Sequence, residues 1–269
     1  MYEKNNLSYR LYKYEYPFQA LGVVVIPTYN EADNILPLLN SIRSTLPQWC
    51  IMVVDDQSPD GTAERVTTWL KEHGGGFLVS NPKKTSLGFA YCCGFRLALM
   101  EKFEFIIQMD ADHSHRPAEL SQIVGLLKKT DVVVGSRYLS QSGSENHDWQ
   151  AKLTFSKLAN RFLGFLFGRS IKDWTSGFKG YSHKALTQLM EGHWERRTYS
   201  FQFASLLYLI RNGFTPKEIP IVFDRRLTGF SKNSLFIIFE SLWVSLILKF
   251  RLFKKTSING LIQKRKRNQ

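Results

Sequence analysis

LGVVVIPTYNEADNILPLLNSIRSTLPQWCIMVVDD, residues 21–56, sets two unbroken β-branched runs around one amphipathic stretch. LGVVVI (21–26) reads as a buried strand, because it is continuously apolar and stops at Pro27. The stretch EADNILPLLNSIRSTL places Ile35, Leu38, Leu39, Ile42 and Leu46 on one helical face. CIMVVDD (50–56) is then a second strand. A strand, a helix and another strand in this order make the repeating unit of a parallel α/β sheet.

The alternation continues downstream. TAERVTTWLKEH (62–73) reads as a helix ended by the glycines at 74–76, and FLVS (77–80) as a strand. SLGFAYCCGFRLALMEK (86–102) is a helix in which Cys92 and Cys93 pack as small apolar residues, and FEFIIQMD (103–110) is a strand. PAELSQIVGLLKK (117–129) is a helix with proline in its first turn, followed by a strand at DVVVGSR (131–137). Beyond a polar loop at 138–150 come a helical run rich in Phe and Leu (151–168) and strands at SGFKGY (176–181) and PKEIPIVF (216–223). The expected fold is α/β, a Rossmann-like, mostly parallel central sheet flanked by helices. Ligands of such sheets bind at the carboxyl ends of the strands.

Composition supports a folded chain. It has 269 residues, 43% hydrophobic and 22% charged, enough for one large core and unlike a disordered or fibrous protein. Three cysteines, two of them adjacent, make no disulfide framework and point to a reducing compartment. The first sixteen residues lack the apolar core of a cleaved signal peptide. The net charge of +13 is concentrated at one end: residues 225–269 hold 11 of the 36 basic side chains and one of the 23 acidic ones. A polyanionic partner is implied: nucleic acid, an anionic membrane surface, or phosphates in a site.

Three strand ends carry acidic or polar clusters: PTYNE (27–31), VVDDQSPDGT (53–62) and DADHSH (110–115). Asp55, Asp56 and Asp60 also suit turns and helix caps. Asp110 and Asp112 suit them less well. Two carboxylates one residue apart after an apolar strand repel unless a cation lies between them, and a divalent metal shared with diphosphate oxygens meets that need. No Walker-type or dinucleotide-type glycine loop is present, which argues against kinases, ATPases and dehydrogenases. His113 and His115 form an H-x-H pair, but the further ligands of a zinc site are not identifiable.

Taken together and in order, these motifs resemble glycosyltransferase family 2 enzymes of the GT-A fold, and within them the polyprenol-phosphate (dolichol-phosphate) mannosyltransferases. The resemblance covers roughly residues 20–235 and rests on PTYNE (27–31), DDQSPDGT (55–62), SLGFA (86–90), MDADHSH (109–115), GSRY (135–138), SKLAN (156–160), DWTSGFKGY (173–181) and FDRRLTGFSK (223–232). It implies that Pro27, Tyr29, Glu31, Val54 and Asp56 hold the nucleoside. Asp110, Ala111 and Asp112 would meet the sugar diphosphate, the two aspartates coordinating Mg²⁺ or Mn²⁺. Ser114 falls where some members place a glutamine near the metal. Arg137, Lys152 and Ser156 would meet the acceptor phosphate, and Arg226 and Lys232 would close over the diphosphates. Ser86 replaces a common glycine, and Lys152 and Lys179 stand where arginine is typical, keeping the charge without the bidentate fork.

The implied reaction is inverting transfer of mannose from GDP-mannose to a polyprenyl phosphate. Readings weighed against it are another donor such as UDP-glucose, a non-lipid acceptor, a nucleic-acid-binding protein and a non-catalytic scaffold. Nucleic acid fits poorly, because the charge sits beside an apolar segment and no aromatic–basic module is visible.

The expected organisation is an N-terminal extension (1–20), a GT-A domain (21–232) in which 151–168 is either a membrane-facing helix or part of the core, an amphipathic helix (233–255) and a basic tail (256–269). A spanning helix needs ~20 predominantly apolar residues. The segment 234–253 is interrupted by Glu240, Lys249 and Arg251, so an interfacial helix at the cytoplasmic face of a membrane is expected, the alternatives being a single tilted span or a core helix closing the domain, with small membrane-protein partners as a further option.

Overall fold

A computed structural model describes residues 2–3, 8–15, 20–139, 147–192, 194, 198 and 200–223. Arg226, Lys232, the segment 234–253 and the basic tail lie outside the described residues, and so does the side chain of Lys152.

The strands are β1 (Tyr2–Glu3), β2 (Ser8–Tyr14), β3 (Gly22–Thr28), β4 (Cys50–Asp55), β5 (Gly76–Ser80), β6 (Phe105–Gln108), β7 (Val132–Ser136), β8 (Lys179–Ser182) and β9 (Lys217–Pro220). The helices are α1 (Ala32–Thr45), α2 (Thr62–His73), α3 (Leu87–Met100), α4 (Leu120–Leu127), α5 (His147–Phe167), α6 (His183–Met190) and α7 (Ser200–Arg211). Among the described residues the strands form one sheet in the order β1-β2-β5-β4-β3-β6-β8-β7-β9.

Strands β5, β4, β3 and β6 run parallel, as their β-branched runs predict. The chain moves outward from β3 to β5 through α1 and α2, then crosses back through α3 to β6 on the other side of β3. Strand order therefore reverses at β3, which opens the crevice where doubly wound sheets take ligands.

Both faces of the central sheet are covered. Val23 and Val25 pack with α3, α6 and α7 on one side. Val24 and Ile26 pack with α1, α2 and α4 on the other. All four valine and isoleucine side chains are fully buried, which explains why β3 is apolar without alternation. Cys50, Cys92 and Cys93 are buried in the first of these cores.

Three expectations differ in detail. Pro117–Glu119 form a turn of 3₁₀-helix, and the α-helix starts at Leu120. The strand read at 176–181 begins at Lys179, after a turn at Trp174 and Thr175, and lies antiparallel between β6 and β7. The first 20 residues contribute to the sheet itself, since Arg10–Tyr14 of β2 pair antiparallel with β5.

Helix α3 reaches the sheet through Gly94, where a Cβ would lie 2.4 Å from Val25 Cγ1 and 3.1 Å from Val54 Cγ2. Gly94→Ala should therefore lower the free energy of unfolding by about 1–3 kcal/mol through overpacking. Urea denaturation with an unchanged m-value is the measurement that checks it.

Candidate active site

The loops after β3 and β4 are sewn to each other. Asp55, fully buried at the end of β4, accepts hydrogen bonds from Thr28 Oγ1 (2.8 Å), Ser58 Oγ (2.6 Å) and the Ser58 amide (2.9 Å). Asp60 accepts from the amides of Ala32 and Thr62 and from Thr62 Oγ1, tying the start of α2 to the start of α1. Partial burial opposes ionisation of Asp60, but these hydrogen bonds outweigh it and hold the carboxyl below its usual range. Both aspartates thus serve the turns that the sequence suggested for them. Asn30, Gln57 and His113, one on each rim loop, adopt left-handed backbone with φ of 62°, 58° and 59°. Three such non-glycine residues at the strand ends mark the rim as a place where conformation is specified against local preference.

Of the residues expected around a nucleoside, Tyr29 is exposed and lies under Lys84, whose Nζ is 3.5 Å from the ring centroid. Asp56 is buried, with its carboxylate accepting from Asn81 Nδ2 (2.7 Å), the Thr85 amide (2.9 Å) and Thr85 Oγ1 (2.6 Å). Val54 is fully buried in the sheet, while Pro27 and Glu31 are partly exposed. Glu31 accepts from Asn34 Nδ2 at 2.7 Å.

The acidic pair follows β6. Asp110 is 31% exposed and its Oδ1 accepts from Tyr91 Oη at 2.8 Å. Gly177 abuts its other oxygen, since a Cβ there would lie 2.4 Å from Asp110 Oδ2. Asp112 is 7% exposed and accepts from the Ser114 amide. Ala111 packs into the core, and Ser114 Oγ is buried without a hydrogen-bond partner among the described residues. The two histidines diverge: His113 Nε2 contacts Asn34 O at 2.8 Å, whereas His115 stacks on Phe178 and touches Phe223. Among the described residues no cluster of three or more His, Cys, Asp or Glu side chains makes a self-sufficient metal cage. Two hard carboxylates, that of Asp110 closely backed by Gly177, instead fit a cation such as Mg²⁺ or Mn²⁺, which typically completes its shell with substrate phosphates and water.

Arg137 occupies the next position along the rim. Its Nε and Nη2 bind both oxygens of Asp173 at 2.7 Å, and Nη2 also donates to Thr175 Oγ1. Burial disfavours both charges, but their mutual attraction prevails: Arg137 is raised above its ordinary value and Asp173 is lowered. The expected phosphate-binding arginine is thus committed on one edge to a buried pair. Its Nη1 makes no hydrogen bond among the described residues, and Phe223 lies under the guanidinium at 5.0 Å. Beside it, Ser156 Oγ accepts from Tyr138 Oη at 2.7 Å. Asn160 accepts from the Trp174 amide through Oδ1 and donates through Nδ2 to Ser156 O and Thr175 Oγ1. These bonds dock the inner stripe of α5 onto the 173–175 turn.

Lys179, which stands where arginine is typical in the resembling family, points into the interior. It is fully buried, and its Nζ donates to Gln202 O (2.7 Å) and Oε1 (2.9 Å). Gln108 Nε2 donates to the same Gln202 Oε1, and Tyr181 Oη donates to Gln108 Oε1. Burial pushes Lys179 down to about 7, against the attraction of Asp173 and Asp110, while Arg137 adds to the lowering. Neither this chain of polar groups as a unit nor Tyr91 stands out as part of the site in the sequence. The available signal was a glutamine in the apolar strand FIIQ and a tyrosine in a helix buried nearly all round, both of which require partners.

The comparisons with known proteins agree with this architecture. The family model described as "Glycosyl transferase family 2" matches residues 23–190. A polyprenol monophosphomannose synthase of Mycolicibacterium smegmatis is 36% identical over 214 residues, 79% of this chain and 80% of that protein. An undecaprenyl-phosphate mannosyltransferase of Micrococcus luteus is 31% identical over 219 residues, 81% of this chain and 90% of that protein. Among solved structures, glucosyl-3-phosphoglycerate synthase of Mycobacterium tuberculosis with Mn²⁺ and UDP-glucose superposes with TM-score 0.64 at 17% identity, covering 86% of this chain and 79% of that one. A mannosyltransferase of Pyrobaculum calidifontis with GDP-Man and Mn²⁺ gives TM-score 0.52 at 18% identity, covering 76% and 56%. The fold is thus the GT-A fold that the motifs suggested.

The buried Lys179 provides a test of the geometry. Between about pH 7 and the ordinary lysine value of 10.5, the unfolded chain binds a proton that the folded chain has released. Stability therefore gains from Lys179 as pH rises through that window and loses that gain as pH falls through 7. In Lys179→Met the rise in unfolding free energy between pH 7 and 10 should be smaller than in the wild type, as measured by urea denaturation across that range.

Proposed function

The chain belongs to glycosyl transferase family 2, a family of glycosyltransferases, and on that premise we propose that it transfers mannose from GDP-mannose to a polyprenyl phosphate, with inversion. The observation that carries the reading is the placement of Asp110 and Asp112 where the strand order reverses, with Arg137, Ser156 and Asn160 along the neighbouring rim. The sequence likeness to the mycobacterial and micrococcal enzymes supports mannose and a polyprenyl phosphate.

The acceptor is itself a phosphomonoester and is ionised at neutral pH, so its oxygen attacks without a strong general base. That oxygen forms a bond to C1 of mannose as the C1–O bond to the diphosphate breaks, and the bonding pair leaves with GDP. In-line attack converts the α-linked sugar of the donor into a β-linked mannosyl phosphate. Asp110 and Asp112 would hold Mg²⁺ or Mn²⁺, which stabilises the negative charge of the leaving diphosphate. The remaining obstacle is the meeting of two anions. Arg137, held rigid by Asp173, presents its Nη1 edge to that charge, and Lys152, Arg226 and Lys232 are proposed to add to it. Pro27, Tyr29, Glu31, Val54 and Asp56 would frame the nucleoside, with Asn81 and Thr85 fixing the Asp56 carboxylate.

A lipid acceptor brings the protein to a membrane, with the cytoplasmic face proposed. Among the described residues no helix is long and apolar enough to cross one. Helix α5 supports peripheral contact: Asn160, Leu163 and Phe167 face inward, while Leu158 (65% exposed) and Phe165 (74% exposed) share the outer stripe. Lys157, Arg161 and Arg169 are exposed beside them, as suits anionic headgroups. Replacing both apolar residues by glutamate should weaken binding to anionic liposomes at least about tenfold, since each large apolar side chain contributes roughly 1.5–3 kcal/mol when buried. Co-sedimentation measures it.

Incubating the purified protein with Mn²⁺, a short prenyl phosphate and a panel of nucleotide sugars tests the reaction. GDP-mannose should give a β-mannosyl phosphoprenol, and UDP-glucose little or none. If none of the sugars yields glycosylated lipid, the proposal fails. Asp112→Ala should lower kcat by about two to three orders of magnitude, the usual cost of removing a group that stabilises transition-state charge.

A further inference from the structure

Asp110 is held from three directions. Tyr91 Oη donates to Oδ1 at 2.8 Å, Gly177 closes against Oδ2, and His115 Nε2 lies 3.7 Å from Oδ2. Tyr91 is itself rigid. It is fully buried on α3, stacked on Phe201 at 5.6 Å and 14° and on Phe95 at 5.5 Å and 28°. Phe201 adjoins Gln202, which the Lys179 and Gln108 side chains anchor from β8 and β6. The strand that leads to Asp110 and the phenol that meets its carboxylate are thus fixed to the same helix, α7.

The asymmetry of burial is informative. Tyr91 is fully enclosed and needs an acceptor. Asp110 is 31% exposed and has water available, so it does not need Tyr91 in order to be satisfied. We propose that Tyr91 is the positioning residue for Asp110: its phenol fixes the carboxylate in one orientation, so that the acidic pair is preset for the divalent cation. This rests on the reading of Asp110 and Asp112 as metal-holding residues. Groups that orient metal-binding carboxylates typically change metal affinity about 10–100-fold when removed.

Tyr91→Phe keeps the ring stack and removes only the hydroxyl. It strands no fully buried carboxylate, because the Asp110 side chain is 31% exposed. A purely structural role for the hydroxyl therefore predicts a change in thermal stability at unchanged metal affinity. The positioning role predicts the reverse. The test titrates Mn²⁺ into the full-length protein with GDP present and no acceptor, reading free Mn²⁺ by its electron paramagnetic resonance signal. Tyr91→Phe should bind Mn²⁺ at least about tenfold more weakly than wild type, with Tm within about 2 °C. In turnover assays the Mn²⁺ concentration for half-maximal rate should rise while the acceptor KM stays unchanged. Equal Mn²⁺ affinity in wild type and Tyr91→Phe overturns the positioning role and leaves the metal reading intact. No Mn²⁺ binding by the wild type, with no dependence of turnover on a divalent cation, overturns both.

Discussion

Burial of the central sheet on both faces is the constraint from which the rest follows. Strands β5, β4, β3 and β6 lie between two helical layers, and the side chains of β3 are enclosed on each side. A strand in that position has no face on which to carry a charge. Polar chemistry is displaced to the strand ends, and the reversal of strand order at β3 gathers those ends around one crevice. The carboxylates of Asp55, Asp56, Asp110 and Asp112 stand there because the chain has just left an apolar layer.

Where polar groups do enter the interior, they are tied together. Gln108 enters on β6 and is met by Gln202, Lys179 and Tyr181 from β8 and α7. Asp173 is fully buried and is met by the bidentate fork of Arg137. Such pairs contribute little net stability compared with apolar packing, but removing one partner leaves an expensive orphan. Their effect here is geometric. The first network fixes the root of the acidic pair, and the second fixes the wall of the rim beside it.

The positive charge of the chain divides along the same lines. Arg137 is paired on one edge with Asp173, and Lys179 is interior and bonded to Gln202. Lys157, Arg161 and Arg169 are exposed on or just beyond α5, flanking the apolar outer stripe of the helix whose inner stripe docks on the site. One helix thereby links a candidate lipid-facing surface to the polar groups beside the acidic pair. This linkage suits an acceptor whose tail and phosphate require different surroundings.

The sequence by itself determined the parallel core, the crossover helices and the acidic strand ends. Continuous β-branched runs, a 3.6-residue apolar period and carboxylates placed directly after strands are local signals, and local signals survive in one dimension. The sequence also determined the family, because its motifs are short and contiguous. Only the tertiary structure decided which groups pair. Tyr91 meets Asp110 across a helix-to-strand crossover, Arg137 meets Asp173 across 36 positions, and Lys179 meets Gln202 from a strand inserted antiparallel between β6 and β7. That insertion makes Lys179, a lysine at a position where arginine is typical, a buried anchor. Side chains in a buried interior must be satisfied by whatever the fold brings beside them, and the order of strands in the sheet decides what that is.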